Sequence, residues 1–181
     1  YVLARELEIP EDVVKALEIA LKGKTHIVHL GKITLTETSS LVTRYFLLMA
    51  GIGFDGSAVF GLSEKLKRYS GKGAYVFSGL KTLTMYNPKP ILIKADGISA
   101  MGYNVIICKA SRYGGAFRIA PDARLTDLYF YLFATQKKGR LNLLRYVMGI
   151  LTGKHLGLSD IHYFKTATVE IEGGSAHIQL D

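Results

Sequence analysis

The chain has 181 residues, of which 49% are hydrophobic and 21% are charged, and it carries a formal net charge of +8. This composition is typical of one globular domain with its own core, and it excludes a disordered or low-complexity protein. The apolar runs are shorter than the roughly 18 residues of a membrane-spanning helix. The single cysteine, Cys108, excludes an intrachain disulfide.

The positive charge is compatible with nucleic acid, an anionic membrane surface or a phosphate-bearing substrate. The eleven tyrosines and eight phenylalanines fall mostly inside apolar runs, which favours core packing over a platform for stacking bases. We therefore expect no nucleic-acid partner. Cys108 also lies in an apolar run, which predicts a buried structural thiol and is compatible with a reducing, cytoplasmic location.

The first predicted element is a helix after Pro10, because Glu11 and Asp12 precede apolar residues at helical spacing and Gly23 follows them. Residues 25–35 read as a strand. A polar turn at 37–40 then separates this strand from a second one at 44–50, so the pattern predicts a hairpin.

The second strand runs into Gly51-Ile-Gly53-Phe-Asp55. An apolar run without alternation indicates a strand that is buried on both faces. Asp55 has two interpretations: the N-cap of a following helix, or a carboxylate at the mouth of a cleft. Spacing alone favours the cap, because a lone Gly-x-Gly is a weak signal.

The rest of the chain is mostly β in pattern. Helices are predicted over 55–69, 74–85 and 140–151, with the apolar residues Leu141, Leu144, Val147, Met148 and Leu151 on one side of the last. Strands are predicted at 91–95 and 102–109 around an Asp96-Gly97 turn, at 128–134, and in a last hairpin of 166–171 with 176–180. The predicted fold class is α+β, a mainly antiparallel sheet packed on a second sheet or on helices.

Two loops could carry chemistry. Asp122 and Asp127 flank a loop-to-strand transition where one carboxylate and turn carbonyls could hold Mg²⁺, although spacing alone favours an Asp-capped turn. Around Gly114-Gly115, fixed cations suit an anionic ligand about as well as they suit a solvated loop; these cations are Lys109, Arg112 and Arg118. The five histidines show no metal-ligand spacing.

Five motifs in order resemble the catalytic-domain family of diacylglycerol kinases, including its soluble bacterial lipid kinases. The Gly-Ile-Gly-Phe-Asp segment matches that family's signature, and four further motifs match in sequence order, the last of which consists of two segments. They are Leu3-Ala-Arg-Glu-Leu-Glu-Ile-Pro10, His29-Leu-Gly-Lys32, Tyr113-Gly-Gly-Ala-Phe-Arg-Ile-Ala-Pro-Asp-Ala123, and the pair Lys154-His-Leu156 and His177-Ile-Gln-Leu-Asp181.

The resemblance implies a β-sandwich with peripheral helices, the C-terminal domain of a two-domain lipid kinase. Residues 1–24 would be a connecting helical segment and 25–181 the lipid-side domain. The nucleotide loop that binds most of the ATP would lie in an N-terminal domain upstream of Leu3, and a catalytic Glu would follow two residues after Asp181. The catalytic residues would thus lie outside the chain, and the fragment alone would be inactive.

The resemblance further implies a structural Mg²⁺ held by the Asp127 side chain and the carbonyls of Arg124 and Tyr129. It also implies substrate-binding roles for four residues: Asp55, Gly114, Gly115 and Arg118. One departure is visible, since the family often has glycine where this chain has Leu128.

The expected partners are a diacylglycerol-like lipid, ATP through the other domain, and a peripheral membrane surface. The last would be contacted by the helices of residues 57–85 with Lys65, Lys67 and Arg68. A homodimer stays open. The alternatives are a non-catalytic β-sandwich module for an anionic ligand or surface, an NAD kinase relative, and a sphingoid-base kinase.

Overall fold

Antiparallel strand pairing dominates the computed structural model, which describes residues 2–37, 40–53, 88–113, 117–173 and 178–181. Within this part of the chain the helices are α1 (Val2–Glu6), α2 (Val13–Lys22), α3 (Arg140–Leu151) and a 3-10 turn (His155–Gly157). The strands are β1 (Gly31–Glu37), β2 (Ser40–Phe46), β3 (Met49–Ile52), β4 (Ile91–Ala95), β5 (Ile98–Gly102), β6 (Asn104–Cys108), β7 (Arg112–Tyr113), β8 (Phe117–Arg118), β9 (Phe130–Thr135), β10 (Ile161–Thr166), β11 (Glu170–Glu172) and β12 (Ile178–Leu180).

A five-stranded sheet in the order β10-β9-β6-β3-β12 forms the centre of the fold. Alternate residues of its strands enter two different cores, because successive side chains of a strand point to opposite faces. Val105 and Ile107 pack into one core, whereas Ile106 and Cys108 pack into the other. In β3, Ala50 and Ile52 enter the first core and Met49 enters the second, so the predicted burial on both faces is confirmed for this strand. Arg44 and Tyr45, which the prediction placed in the same strand, are exposed. The burial of the Cys108 thiol is confirmed as well.

The first core lies between this sheet and a three-stranded sheet in the order β11-β4-β5. Its buried members include Ala50, Ile52, Ile91, Ile93, Val105, Leu132 and Ala134. The second core joins the opposite face of the five-stranded sheet to α3, through Ile150, and to the segment of Ile119, Ala120 and Ala123. The α+β class and the mainly antiparallel sandwich are thus confirmed.

Three strand predictions need correction. The first strand begins at Gly31 rather than at residue 25, because its pairing partner β2 ends at Phe46. The strand predicted at 44–50 is divided at Leu47 and Leu48, whose backbone N–H groups bind a carboxylate instead of a neighbouring strand. The strand predicted at 102–109 starts at Asn104, and an additional strand, β5, precedes it and pairs with β4.

The predicted last hairpin is wrong. Strand β11 pairs with β4 in the three-stranded sheet, whereas β12 pairs with β3 in the five-stranded sheet. The chain therefore crosses from one layer of the sandwich to the other between Glu172 and Ile178. The predicted helices over 55–69 and 74–85 lie outside the described residues.

Helix α3 has the predicted bounds but buries a different face. Its buried residues are Leu143, Tyr146 and Ile150, whereas the predicted stripe is largely exposed. The Tyr146 hydroxyl donates a 2.7 Å hydrogen bond to the buried Asp160 carboxylate, which also pairs with Arg145. This polar anchor fixes the rotation of the helix, so a pattern of apolar residues alone predicts the wrong face.

The predicted turn at Asp96-Gly97 is confirmed, but it joins β4 to β5 and not to the strand predicted at 102–109. Asp96 and Gly97 both adopt positive φ, 44° and 83°, as a two-residue type I′ turn requires. The Asp96 carboxylate accepts hydrogen bonds from the Thr166 hydroxyl at 2.8 Å, the Ala167 N–H at 2.8 Å and the Thr168 hydroxyl at 3.0 Å. The turn is thereby joined to the connection between β10 and β11.

These hydrogen bonds predict an acid-dependent stability. The bond from the Ala167 N–H, followed by those from Thr166 and Thr168, lowers the pKa of Asp96. A carboxyl group whose pKa is lowered by folding stabilises the protein above its unfolded value of about 3.9, and the contribution disappears as the pH falls through the folded value. We expect Asp96→Asn to lower the melting temperature at neutral pH and to flatten its decline below pH 4. Equal pH profiles of the two proteins in calorimetry would contradict this role.

Candidate functional site

The carboxylate of Asp181 is held at the start of β3 by three consecutive backbone N–H groups. Leu47 donates at 3.3 Å, Leu48 at 3.0 Å and Met49 at 2.9 Å. Successive N–H groups that converge in a bend form a concave anion site. Asp181 directly follows β12, so the N–H groups at the break between β2 and β3 fix the position at which β12 ends.

A second carboxylate, that of Glu6 at the end of α1, is held in a similar way. It accepts hydrogen bonds from the Ser111 N–H at 2.9 Å, the Ser111 hydroxyl at 2.9 Å and the Arg112 N–H at 3.2 Å. The Arg112 guanidinium lies 4.0 Å from the same carboxylate. Helix α1 is thus attached to the strand β7 that leads to Gly114-Gly115.

These two anchors lie at the same edge of the five-stranded sheet. Met49 is paired with Cys108, and the Leu48 carbonyl accepts hydrogen bonds from the N–H groups of Lys109 at 2.8 Å and Ala110 at 3.0 Å. The segment that binds Asp181 is therefore joined to the segment that binds Glu6. Residues next to either anchor are brought toward one edge, where groups from distant parts of the chain can act together.

Lys109, which follows β6 at this edge, is only 2% exposed. Its ammonium donates hydrogen bonds to the main-chain carbonyls of Asp127 and, at 3.3 Å, Tyr129. Burial lowers the pKa of Lys109, and the nearby charge of Asp127 acts in the opposite direction. A buried ammonium with carbonyl partners is the main feature of this turn. The sequence pattern predicts Lys109 beside Gly114-Gly115 instead.

The turn is a poor match to the implied Mg²⁺ site. The Tyr129 carbonyl already accepts from Lys109, and the Arg124 carbonyl accepts from the Asp127 N–H at 3.0 Å. A divalent ion bound to the Tyr129 carbonyl would lie close to the Lys109 ammonium and be repelled by it.

The remaining predicted site residues are placed as follows. Arg118 is exposed and is paired with Arg112 across β7 and β8. The Asp122 carboxylate accepts a 3.0 Å hydrogen bond from the Tyr163 hydroxyl, and burial followed by this bond raises the pKa of Tyr163. Leu128 does not adopt a positive φ, so the turn differs from one that needs glycine there. Asp55, Gly114 and Gly115 lie outside the described residues.

The Lys154-His-Leu156 motif has a structural role that spacing did not indicate. His155 is 2% exposed, and its Nε2 donates to the Ile119 carbonyl at 2.9 Å. Its ring meets the Phe133 ring edge to face, with the centroids 5.7 Å apart. The histidine therefore holds the Ile119-Ala120-Pro121 segment in place through the hydrogen bond to its first residue.

Comparison with known proteins agrees with this architecture. The YegS C-terminal NAD kinase beta sandwich-like domain family matches residues 49–181. A diacylglycerol kinase of Staphylococcus carnosus strain TM300 is 29% identical over 92% of the chain, and one of Bacillus subtilis strain 168 is 28% identical over 93%. The chain spans about half the length of these relatives, 53% and 54% respectively.

Among solved structures, the crystal structure of a diacylglycerol kinase from Bacillus anthracis strain Sterne is similar in fold. It has a TM-score of 0.62 at 16% identity, and the match covers 99% of this chain and 55% of that one. The family match extends over most of the chain and includes the strands β3, β6, β9 and β12 that build the site edge. The chain belongs to the family of the YegS C-terminal NAD kinase beta sandwich-like domain.

Proposed function

We propose that this chain is the lipid-side half of a kinase that transfers the γ-phosphoryl group of ATP to the hydroxyl of a diacylglycerol-like lipid. The observation that carries the proposal is the common edge at which α1 and Asp181 are anchored. Phosphoryl transfer depends mainly on positioning and on electrostatic stabilisation. A second half connected through both anchors would be positioned over this edge, with the reaction centre between the halves.

The exposed apolar face of α2 supports the same arrangement. The helix buries no residue, and Val13, Val14 and Leu21 are 71%, 67% and 82% exposed. An isolated helix of this length gains its stability mainly from packing of its apolar face. We propose that the nucleotide-binding half, which would bind ATP and its Mg²⁺, covers this face.

On the lipid side, the proposed substrate residues are Asp55, Gly114, Gly115 and Arg118. The exposed guanidinium of Arg118 lies at the end of the glycine-containing connection between β7 and β8. A guanidinium can pair with phosphate oxygens through two parallel hydrogen bonds. It would therefore contact phosphate groups as they come into the cleft.

Lipid selectivity is tested with the intact protein encoded by the natural reading frame. ATP is supplied with a diacylglycerol, a sphingoid base or NAD in separate reactions, and products are identified by mass spectrometry. We expect phosphorylation of the diacylglycerol in preference to the other two acceptors. Phosphorylation of NAD alone would assign the protein to the NAD kinase alternative. Binding of anionic ligands without any phosphorylated product would favour the non-catalytic module.

A further inference from the structure

We infer that the Lys109 ammonium takes the place of a divalent metal in the turn 124–129. It stabilises the turn with a positive charge that the protein itself supplies. The side chain is 2% exposed, and its Nζ donates to the carbonyls of Asp127 and Tyr129. The same Nζ lies 5.7 Å from the centre of the Phe130 ring. Carbonyl and aromatic partners thus enclose a positive charge inside the turn.

The chemistry of these partners explains why an ammonium can replace a metal ion in this turn. Main-chain carbonyls are ligands that a hard cation such as Mg²⁺ would use, and an ammonium offers three N–H donors to the same oxygens. Burial lowers the pKa of Lys109, whereas the nearby charge of Asp127 favours the protonated form. The turn is therefore closed without a metal, whichever lipid the protein phosphorylates and whether or not Mg²⁺ accompanies ATP.

Manganese binding to the chain tests this inference directly, because Mn²⁺ is a spectroscopically visible substitute for Mg²⁺. Electron paramagnetic resonance titrations compare the wild type with Asp127→Asn. We expect the wild type and Asp127→Asn to bind the same amount of Mn²⁺, which includes the case in which neither binds any. Bound Mn²⁺ that survives the substitution lies at another site and agrees with the inference, whereas binding that is lost in Asp127→Asn would overturn it.

Lys109→Met tests the stabilising role of the ammonium while retaining an aliphatic side chain of similar length. We expect its melting temperature to fall by several degrees. Added Mg²⁺ should leave the melting temperature of the wild type unchanged. Lys138→Met removes the same charge from an exposed position and is the matched control. An unchanged melting temperature in Lys109→Met would overturn the inference. If this variant does not fold, the Mn²⁺ titration of the wild type decides.

The outer face of α3 carries a separate observation. Leu141, Leu144, Met148 and Leu151 are 84%, 43%, 50% and 42% exposed and follow one another at helical spacing. We propose, resting on the proposed lipid kinase function, that this face binds the surface of an anionic bilayer. An apolar stripe with basic neighbours is the pattern of helices that lie in a membrane interface.

The charges around α3 favour a bilayer over other occupants. The sequence from Leu128 to Ser159 contains no Asp or Glu, whereas it contains Lys137, Lys138, Arg140, Arg145 and Lys154. Arg145 is partly neutralised by Asp160, and Lys137, Lys138 and Lys154 are exposed. Anionic headgroups attract such residues, and the apolar stripe can enter the boundary between headgroups and acyl chains.

Sedimentation of the chain with vesicles tests this surface. We expect binding to phosphatidylglycerol-containing vesicles and much weaker binding to phosphatidylcholine alone. The double variant Lys137→Glu/Lys138→Glu should weaken binding about tenfold or more. The control Lys22→Glu/Lys24→Glu makes the same charge change at exposed positions at the end of α2 and just after it. Equal binding of the two double variants would overturn the proposal.

The apolar stripe is tested with Leu141→Ser/Met148→Ser, for which Met101→Ser is the control at another exposed apolar position. We expect Leu141→Ser/Met148→Ser to bind vesicles more weakly than the wild type, and Met101→Ser to bind them as the wild type does. If that variant instead converts a dimer to a monomer in analytical ultracentrifugation, a second copy covers the face and the proposal is overturned. Vesicle binding requires no phosphotransfer, so a protein that binds vesicles but phosphorylates no lipid would contradict only the proposed function.

Discussion

Replacing Gly53 with alanine is expected to destabilise the protein by about 3 kcal/mol, because the residue has a backbone conformation and surroundings that exclude a side chain. Its φ is +101°, and a Cβ built there would lie 2.7 Å from the Tyr103 carbonyl oxygen and 3.1 Å from the Ile91 Cδ1. Tyr103 directly precedes β6 and its N–H donates to the Thr135 carbonyl at 2.8 Å, so its backbone atoms cannot move away cheaply. Urea unfolding followed by circular dichroism measures the effect.

Gly51, in the same motif, provides the matched control. A Cβ there meets no atom within 4 Å among the described residues. We therefore expect Gly51→Ala to change the free energy of unfolding by no more than about 0.5 kcal/mol. If the two alanine variants unfold at the same urea concentration, the close approach of Gly53 to the Tyr103 carbonyl does not constrain the fold.

Removal of the Asp181 carboxylate should strongly impair catalysis in the intact protein. The carboxylate fixes the end of β12 through the N–H groups of Leu47, Leu48 and Met49. In the proposed kinase, the catalytic Glu would follow two residues farther along. A displacement of about 1 Å in a catalytic group costs about 100-fold in rate. We expect Asp181→Ala to lower kcat by about that factor while KM for ATP changes little.

Glu170→Ala is the control for the lost charge, since Glu170 is exposed on β11, which belongs to the three-stranded sheet. It should retain the kcat of the wild type. A steady-state assay with saturating lipid separates the two variants. If Asp181→Ala were as active as Glu170→Ala, the anchor would have no role in positioning the catalytic group.

The sequence predicted the fold class well because the five-stranded sheet is buried on both faces. Continuous apolar runs such as those of β6 and β9 are a direct consequence of that burial. The turn at Asp96-Gly97 was equally predictable, since its type restricts the residues that fit, although its second strand is β5 and not the strand predicted at 102–109. The helix bounds of α2 and α3 followed from Asp12, Gly23 and the periodicity of the apolar residues.

Other features depend on contacts between distant residues and had no local signal. The face that α3 buries is set by Asp160, and the break after β2 is set by Asp181. Strand β5 has exposed residues at Ile98, Ser99 and Met101, so its apolar pattern is weak. Lys109 appears in the sequence as one of several basic residues, and only packing reveals that it is buried in the turn.

Transfer of the γ-phosphoryl group of isotopically labelled ATP to diacylglycerol in mixed micelles tests the division into two halves most directly. We expect labelled phosphatidic acid from the intact protein and none from the 181-residue chain alone, even when the chain is folded and binds vesicles. Label transfer by the chain alone, or an intact protein that leaves diacylglycerol and every related lipid unlabelled, would contradict it.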